Sequence, residues 1–351
     1  MHHPPGPDVT LPARVLGRTG IGLTTLGFGS TGIGNLYRSQ TEDGAMAAVQ
    51  AAWDGGIRYF DTAPLYGFGL AEHRVGAALR RIGGGARLST AVLSTAVLST
   101  KVGWRLHRRS ADDGPGSAAD SLFERPAPFK PRLDYSYDGV MRSFEDSLQR
   151  LGTDRVDILL LHDCDRRNQG DAYPARFREA VDGAARALLA LREQGVVRAI
   201  GAGLNEWEAC QDFAEACDFD CFLLAGRYTL LDQGALGSFL PLCESRGIGI
   251  ILGGPYNSGI LATGPVEGAL YDYAPAAPDV VERTRAVAAT CARHGVPLRA
   301  AALQFPLSHP AVATVIPGAR SPEEVRENLA LMAQPVPDAL WQELRHSRFI
   351  P

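Results

Sequence analysis

The chain has 351 residues with 35 Lys and Arg against 39 Asp and Glu, a net charge of −4 that gives no basic surface for nucleic acid or an anionic membrane. Apolar residues make up 45% of it, enough for a sizeable core, yet no run reaches the ~18 apolar residues of a membrane span. Six cysteines are scattered without paired metal spacing, so free thiols, no metal site and a reduced, cytoplasmic location are the expectation; Cys217 and Cys221 are four apart, but Cys221 opens an apolar strand.

Residues 1–10 are rich in proline and are expected to be loose. Residues 14–20 and 23–29 read as a short hairpin through Thr19-Gly20, leading into a first core strand at 26–29. Here Gly27-Phe28-Gly29-Ser30-Thr31-Gly32 matches the dinucleotide fingerprint GxGxxG, with Asp54 near the place of the ribose-binding acid. No helix opens at the third glycine, however. Residues 33–40 are irregular and helical periodicity begins only at Thr41-Glu42-Asp43, so Asp54, backed by Gly55 and Gly56, reads as a helix end.

From there the alternation is regular. Helix 42–54 precedes strand 57–61, helix 71–81 precedes strand 97–102, and a long loop over 103–138 follows. Helix 138–151 carries Val140, Phe144, Leu148 and Leu151 on one face and stops at Gly152 before strand 156–162. Helices 182–194, 206–216 and 234–246 alternate with strands 197–202, 221–225 and 248–252; helices 279–294 and 298–305 precede an eighth strand, 312–316. Eight apolar strands separated by amphipathic helices call for parallel crossovers. The simplest closed solution is a single α/β domain over 1–351, a (β/α)8 TIM barrel with an N-terminal β-hairpin and its site at the C-terminal face; a doubly wound open sheet is the alternative.

Leu-Ser-Thr occurs three times, at 88–90, 93–95 and 98–100, and an odd period puts successive copies on opposite faces of a strand. Only the copy touching Lys101 is expected to be the strand, with roughly residues 88–97 looping out as an insertion without functional role.

The chemistry gathers at strand ends. Strand 57–61 ends on Asp61 and its loop brings Tyr66; the next strands end on Lys101 and on His162. In the chemistry that the family resemblance of these stretches implies, a hydride moves to or from a carbinol carbon, which requires a proton to move at its oxygen, and a tyrosine with a pKa of about 10 is a poor base at neutral pH. A neighbouring lysine is expected to lower that pKa, an aspartate to hold the lysine charged, and a histidine to fix the substrate oxygen. Each residue also has a plainer reading: Asp61 a loop cap, Tyr66 a packed aromatic, Lys101 solvated, His162 a core histidine. All four at the ends of three successive strands favour chemistry.

The wording of Gly56-Ile57-Arg58-Tyr59-Phe60-Asp61-Thr62-Ala63-Pro64-Leu65-Tyr66-Gly67, followed by Ala71-Glu72-His73-Arg74-Val75-Gly76, resembles the aldo-keto reductase family, as do Leu98-Ser99-Thr100-Lys101 and Val156-Asp157-Ile158-Leu159-Leu160-Leu161-His162. The resemblance covers about residues 14–334. It implies an oxidoreductase with Asp61, Tyr66, Lys101 and His162 as catalytic residues, a small-molecule substrate, and neither nucleic acid nor membrane as partner.

A second stretch, Val315-Ile316-Pro317-Gly318-Ala319-Arg320-Ser321-Pro322-Glu323-Glu324-Val325-Arg326-Glu327-Asn328, is a strand followed by a helix start, where barrels bind phosphate. By the resemblance, Gly318 and Arg320 would lie along the adenosine ribose and its phosphate, Glu327 and Asn328 at the adenine, and Asn205 at the nicotinamide carboxamide. NADPH-using relatives carry a basic residue at the position of Glu324, whose carboxylate would repel a 2′-phosphate, so NAD is the expected cofactor and NADP the alternative. Ser321 to Glu324 is equally a capping box, and Asn205 equally an N-cap for 206 onward. After the sixth strand, where many relatives have a glutamine, this chain reads Leu224-Ala225-Gly226-Arg227-Tyr228.

Specificity is expected in loop 103–138, whose Trp104, Arg105, His107, Phe123, Phe129 and Tyr135 suit a polar ring. Residues 201–205, 223–233 and 305–318 resemble the branch of D-threo-aldose 1-dehydrogenases, L-fucose dehydrogenases and pyridoxal 4-dehydrogenases. That implies oxidation of the anomeric hydroxyl of an aldose to a lactone, with pyridoxal 4-dehydrogenase or an NADPH-dependent aldehyde reductase as alternatives. A cofactor-binding regulatory subunit, which the family also contains, is disfavoured because the sequence reads without an added partner-binding segment.

Overall fold

A computed structural model describes residues 11–84, 92, 95–110 and 122–351. The hairpin β1 (Ala13–Val15) and β2 (Gly22–Thr24) pairs antiparallel. The chain continues through β3 (Phe28–Gly29), β4 (Tyr59–Asp61) and β5 (Val97–Val102), then an antiparallel ribbon of β6 (Trp104–Arg108) with β7 (Phe129–Leu133). It proceeds to β8 (Ile158–His162), β9 (Ala199–Leu204), β10 (Cys221–Ala225) and β11 (Gly249–Gly253), a small hairpin of β12 (Leu270–Tyr271) with β13 (Ala274–Pro275), and β14 (Val312–Ile316). Eight of these, in the order β3-β4-β5-β8-β9-β10-β11-β14, form one parallel sheet.

The sheet closes on itself. Leu26 bridges Val315 and Gly29 bridges Gly318, with Gly27 N donating to Val315 O at 2.9 Å and Val315 N to Thr25 O at 3.0 Å. This is the (β/α)8 barrel expected from the alternation. The fingerprint glycines belong to this seam: a Cβ on Gly27 would lie 2.7 Å from both Ile316 and Tyr59 side chains, and one on Gly32 would lie 2.8 Å from Arg320. Close backbone approach, not a pyrophosphate loop, is what these glycines permit.

Barrel strands are buried on both faces, so they read as apolar runs rather than as alternating ones. In β8, Ile158 and Leu160 point into the barrel with Tyr59, Leu223 and Ile251, while Leu159 and Leu161 pack outward among the helices. Leu16, Ile21 and Leu23 of the N-terminal hairpin join the inner cluster.

The structure differs from the sequence reading in several places. The segment 103–138 is not a plain loop, since β6 and β7 form a five-pair ribbon within it, from Trp104 opposite Leu133 to Arg108 opposite Phe129. The copy of the repeat touching Lys101 is β5, as expected; most of the presumed insertion at 88–97 lies outside the described residues, and Val97 already belongs to the strand. The expected loose segment 1–10 also lies outside them. The helix expected from 182 starts earlier, because Tyr173–Glu179 runs through a π-helical turn, Ala180–Ala185, into Arg186–Glu193. A last helix, Asp338–His346, buries Leu340 and Leu344 and follows Pro337, which occupies its N-cap position. Among the described residues no helix is long and apolar enough to cross a membrane.

Candidate active site

Parallel pairing sets Asp61 opposite Ser99 across β4 and β5, and the period of two brings Lys101 to the same inward face. Lys101 Nζ donates to Asp61 Oδ2 at 2.7 Å and to Thr62 O at 3.0 Å. Asp61 Oδ1 accepts from Ser99 Oγ at 2.7 Å, and Ser99 Oγ lies 2.9 Å from Tyr59 OH. Gly203 of β9 leaves room for the lysine, since a Cβ there would lie 3.1 Å from Lys101 Cε. Burial pushes the Asp61 carboxyl above its ordinary pKa, and the Lys101 charge works against that rise.

Tyr66 comes from the turn after β4. Its ring lies under Lys101, with Nζ 4.6 Å from the ring centroid, and meets His162 edge-on at 5.6 Å between centroids. The expected net lowering of the phenol's pKa is corrected here. The lysine is committed to Asp61 and Thr62 and faces the ring, while burial, then Asp61 and Asp163, push Tyr66 well above its usual value. Tyr66 is therefore held as a phenol, a proton donor at neutral pH. His162 ends β8 opposite Gly203; burial, reinforced by Lys101, pushes its pKa well down, so the ring is neutral. Among the described residues His162 Nδ1 has no hydrogen-bond partner, and Nε2 lies 3.5 Å from Asp163 Oδ1.

Asp163 is a residue that the sequence reading missed. Its backbone is left-handed, with φ of 57°, and Trp104 Nε1, from the start of β6, donates to its Oδ2 at 2.9 Å. Burial and then Asp165 raise its pKa from the usual 3.8 to about 7. A carboxylate directly after the strand-end histidine was the available signal. Also missed was a clamp at the rim. Arg167, in the helix Arg166–Gln169 that follows β8, and Arg227, just beyond β10, both bond to Asp272 at the tip of the β12–β13 hairpin, Arg227 Nη2 at 2.7 Å and Arg167 through Oδ2. Beside it, Tyr273 stacks under the Arg167 guanidinium at 5.3 Å.

The expected cofactor residues fall into two groups. Gly318, Arg320, Glu324, Glu327 and Asn328 cluster where β14 passes into the helix Pro322–Ala333. Gly318 is exposed, and a Cβ there would meet only Thr31 Oγ1, at 3.5 Å. That open turn, the adjoining helix N-terminus and the Arg320 side chain form a cradle suited to a phosphate-bearing group. Capping is realised as well: Ser321 Oγ accepts from Glu324 N at 3.3 Å, while Glu324 Oε2 accepts from Arg320 N at 2.8 Å rather than from Ser321 N. Glu327 pairs with Arg299, and Asn328 Oδ1 accepts from Tyr256 OH at 2.7 Å. Asn205 lies apart at the end of β9, its N–H donating to Asp165 Oδ2 at 2.7 Å and its carbonyl accepting from Arg227 Nε at 2.7 Å. The N-cap of the following helix is Glu206, so the capping alternative for Asn205 does not hold.

Together these side chains can present a phenolic proton and a neutral imidazole to one oxygen, over a buried ion pair. Known proteins bear on what that arrangement is for. The Aldo/keto reductase family matches residues 25–348. Pyridoxal 4-dehydrogenase of Microbacterium luteolum is 42% identical over 338 residues, covering 96% of this chain and 97% of that protein. D-threo-aldose 1-dehydrogenase of a Pseudomonas species is 38% identical over 334 residues, covering 95% and 96%. The holo form of a Bacillus halodurans aldo-keto reductase superposes with a TM-score of 0.72 at 24% identity, over 97% of each chain, which speaks to the fold. With its closed barrel and with two relatives above 30% identity over nearly their whole length, this chain belongs to the aldo/keto reductase family and is one of its oxidoreductases.

Proposed function

We propose that the chain is an NAD-dependent dehydrogenase of the cytoplasm that oxidises the anomeric hydroxyl of an aldose to a lactone. The observation that carries the reading is the buried Lys101–Asp61 pair beneath the Tyr66 ring, with His162 at that ring's edge. Tyr66 exchanges the proton of the reacting hydroxyl, and the neutral His162 imidazole holds that oxygen by a hydrogen bond. Lys101, bonded to Asp61 and lying over the Tyr66 ring, supplies the positive field that favours negative charge at Tyr66 once its proton has left. A nicotinamide dinucleotide bound there would supply the acceptor for the hydride. Gly318 and Arg320 with the helix N-terminus would hold its phosphate-bearing half, Glu327 and Asn328 its adenine, and Asn205 its carboxamide. Glu324, with its carboxylate beside Arg320, supports NAD over NADP.

A second reading, a pyridoxal 4-dehydrogenase, is favoured by the relative at 42% identity. The two readings share a chemistry, since pyridoxal and an aldose each close to a cyclic hemiacetal whose oxidation gives a lactone. The deciding experiment follows NADH formation with L-fucose, D-arabinose, L-galactose and pyridoxal, each with NAD and with NADP. Turnover of a sugar with NAD is the expected result. Turnover of pyridoxal alone selects the second reading, and dominant NADPH-dependent reduction of simple aldehydes overturns both.

A further inference from the structure

Next to His162 stands a carboxylate that neither the proton step nor the fold uses up. Asp163 is 7% exposed, its Oδ2 is fixed by Trp104 Nε1 at 2.9 Å, and its Oδ1 lies beside the His162 imidazole, so it borders the same cup. Among the described residues Oδ1 has only long contacts, 3.5 Å to His162 Nε2 and 3.5 Å to Asn168 Nδ2. A buried acceptor so thinly bonded is costly, and its raised pKa is the electrostatic sign of that cost. At 3.5 Å from the imidazole, Oδ1 is near enough for the two groups to bond oxygens on adjacent carbons of one ligand. The left-handed backbone at Asp163 turns the chain directly after the histidine, so the two side chains serve one small volume.

We propose that Asp163 is a specificity-determining residue whose Oδ1 accepts a hydrogen bond from a hydroxyl on the carbon next to the one oxidised, so that the site selects vicinal diols and α-hydroxy carbonyls. The inference rests on the reading that Tyr66 and His162 hold the reacting oxygen, and it deepens the choice of a polyhydroxylated ring. Trp104 acts as a positioning residue, locking Oδ2 so that Oδ1 turns inward.

The test compares pairs that differ by that one hydroxyl: D-arabinose against 2-deoxy-D-ribose in the oxidising direction, and glycolaldehyde against acetaldehyde in the reducing direction. Wild-type protein is expected to prefer the hydroxylated member of each pair. In Asp163→Ala, kcat/KM for that member should fall about 10- to 100-fold while the deoxy member changes by no more than a few-fold, with Asp163→Asn in between. A wild type without preference overturns the proposal even if neither variant folds, as does an equal fall for both members, which would mark Asp163 as a support for His162. If neither sugar reacts, the aldose reading fails separately, and the aldehyde pair still decides the role of Asp163.

Discussion

Lys101 Nζ and Asp61 Oδ2 are 2.7 Å apart, with 1% and 2% of their side chains exposed. Such a pair is weak evidence for stability while intact and a large liability once one member is removed. Lys101→Met leaves a buried carboxylate that, among the described residues, has only the Ser99 side chain to bond it, and should cost about 3–5 kcal/mol of stability. The double variant Asp61→Asn/Lys101→Met should regain much of that in thermal unfolding while staying inactive, because the field under Tyr66 is gone. A double variant no more stable than the single one would refute the pairing argument.

Tyr66 carries a sharp pH signature. Its phenol is pushed up by burial, then by Asp61 and Asp163, so the protonated form dominates at neutral pH. That form is the one a carbonyl reduction needs, and its conjugate base is the one an oxidation needs. The kcat/KM for oxidation should therefore climb with pH throughout the alkaline range, while reduction stays flat across neutrality. Tyr66→Phe should lose about 10²–10⁴-fold in both directions with cofactor binding retained. An oxidation profile already level at neutral pH would show that the phenol is lowered after all.

How much of this was legible beforehand follows from the range of each interaction. The barrel was readable because strand and helix periods are local, and Asp61, Lys101 and His162 were placeable because each ends an apolar run. The direction of the Tyr66 shift was not, since it depends on whether Lys101 meets the ring's face or its hydroxyl, a matter of a few ångströms across two strands. The β6–β7 ribbon was hidden because its strands are joined across 20 residues or so and carry mixed polar and apolar side chains. Asp272 was invisible for the same reason: its partners Arg167 and Arg227 are 105 and 45 residues away.

Glu324 has two roles that a pair of variants separates. Its Oε2 accepts from Arg320 N, a helix-capping contact worth about 1 kcal/mol. Glu324→Gln retains an acceptor for that N–H and removes the charge, so stability should hold while kcat/KM with NADP improves relative to NAD. Glu324→Lys should shift the preference further. If Glu324→Gln leaves the NADP to NAD ratio unchanged, the residue is a cap and nothing more.

Asp163 should leave a mark on the stability of the whole protein. Its pKa is about 7 when folded and near 3.8 when exposed, so the folded state binds the extra proton between those values. Stability linked to this group is thus fully present below about pH 4 and is lost as pH rises through about 7, by at most about 4 kcal/mol. The groups that set its charge are Asp165, which raises the pKa, and Lys101, which opposes that rise. Asp163→Asn retains an acceptor for Trp104 but cannot ionise. Its unfolding free energy should fall less steeply than wild type between pH 5 and 8 and exceed it at pH 8. Parallel curves for the two proteins would mean that the carboxylate is already relieved within the fold, and that its Oδ1 has no need of a substrate hydroxyl.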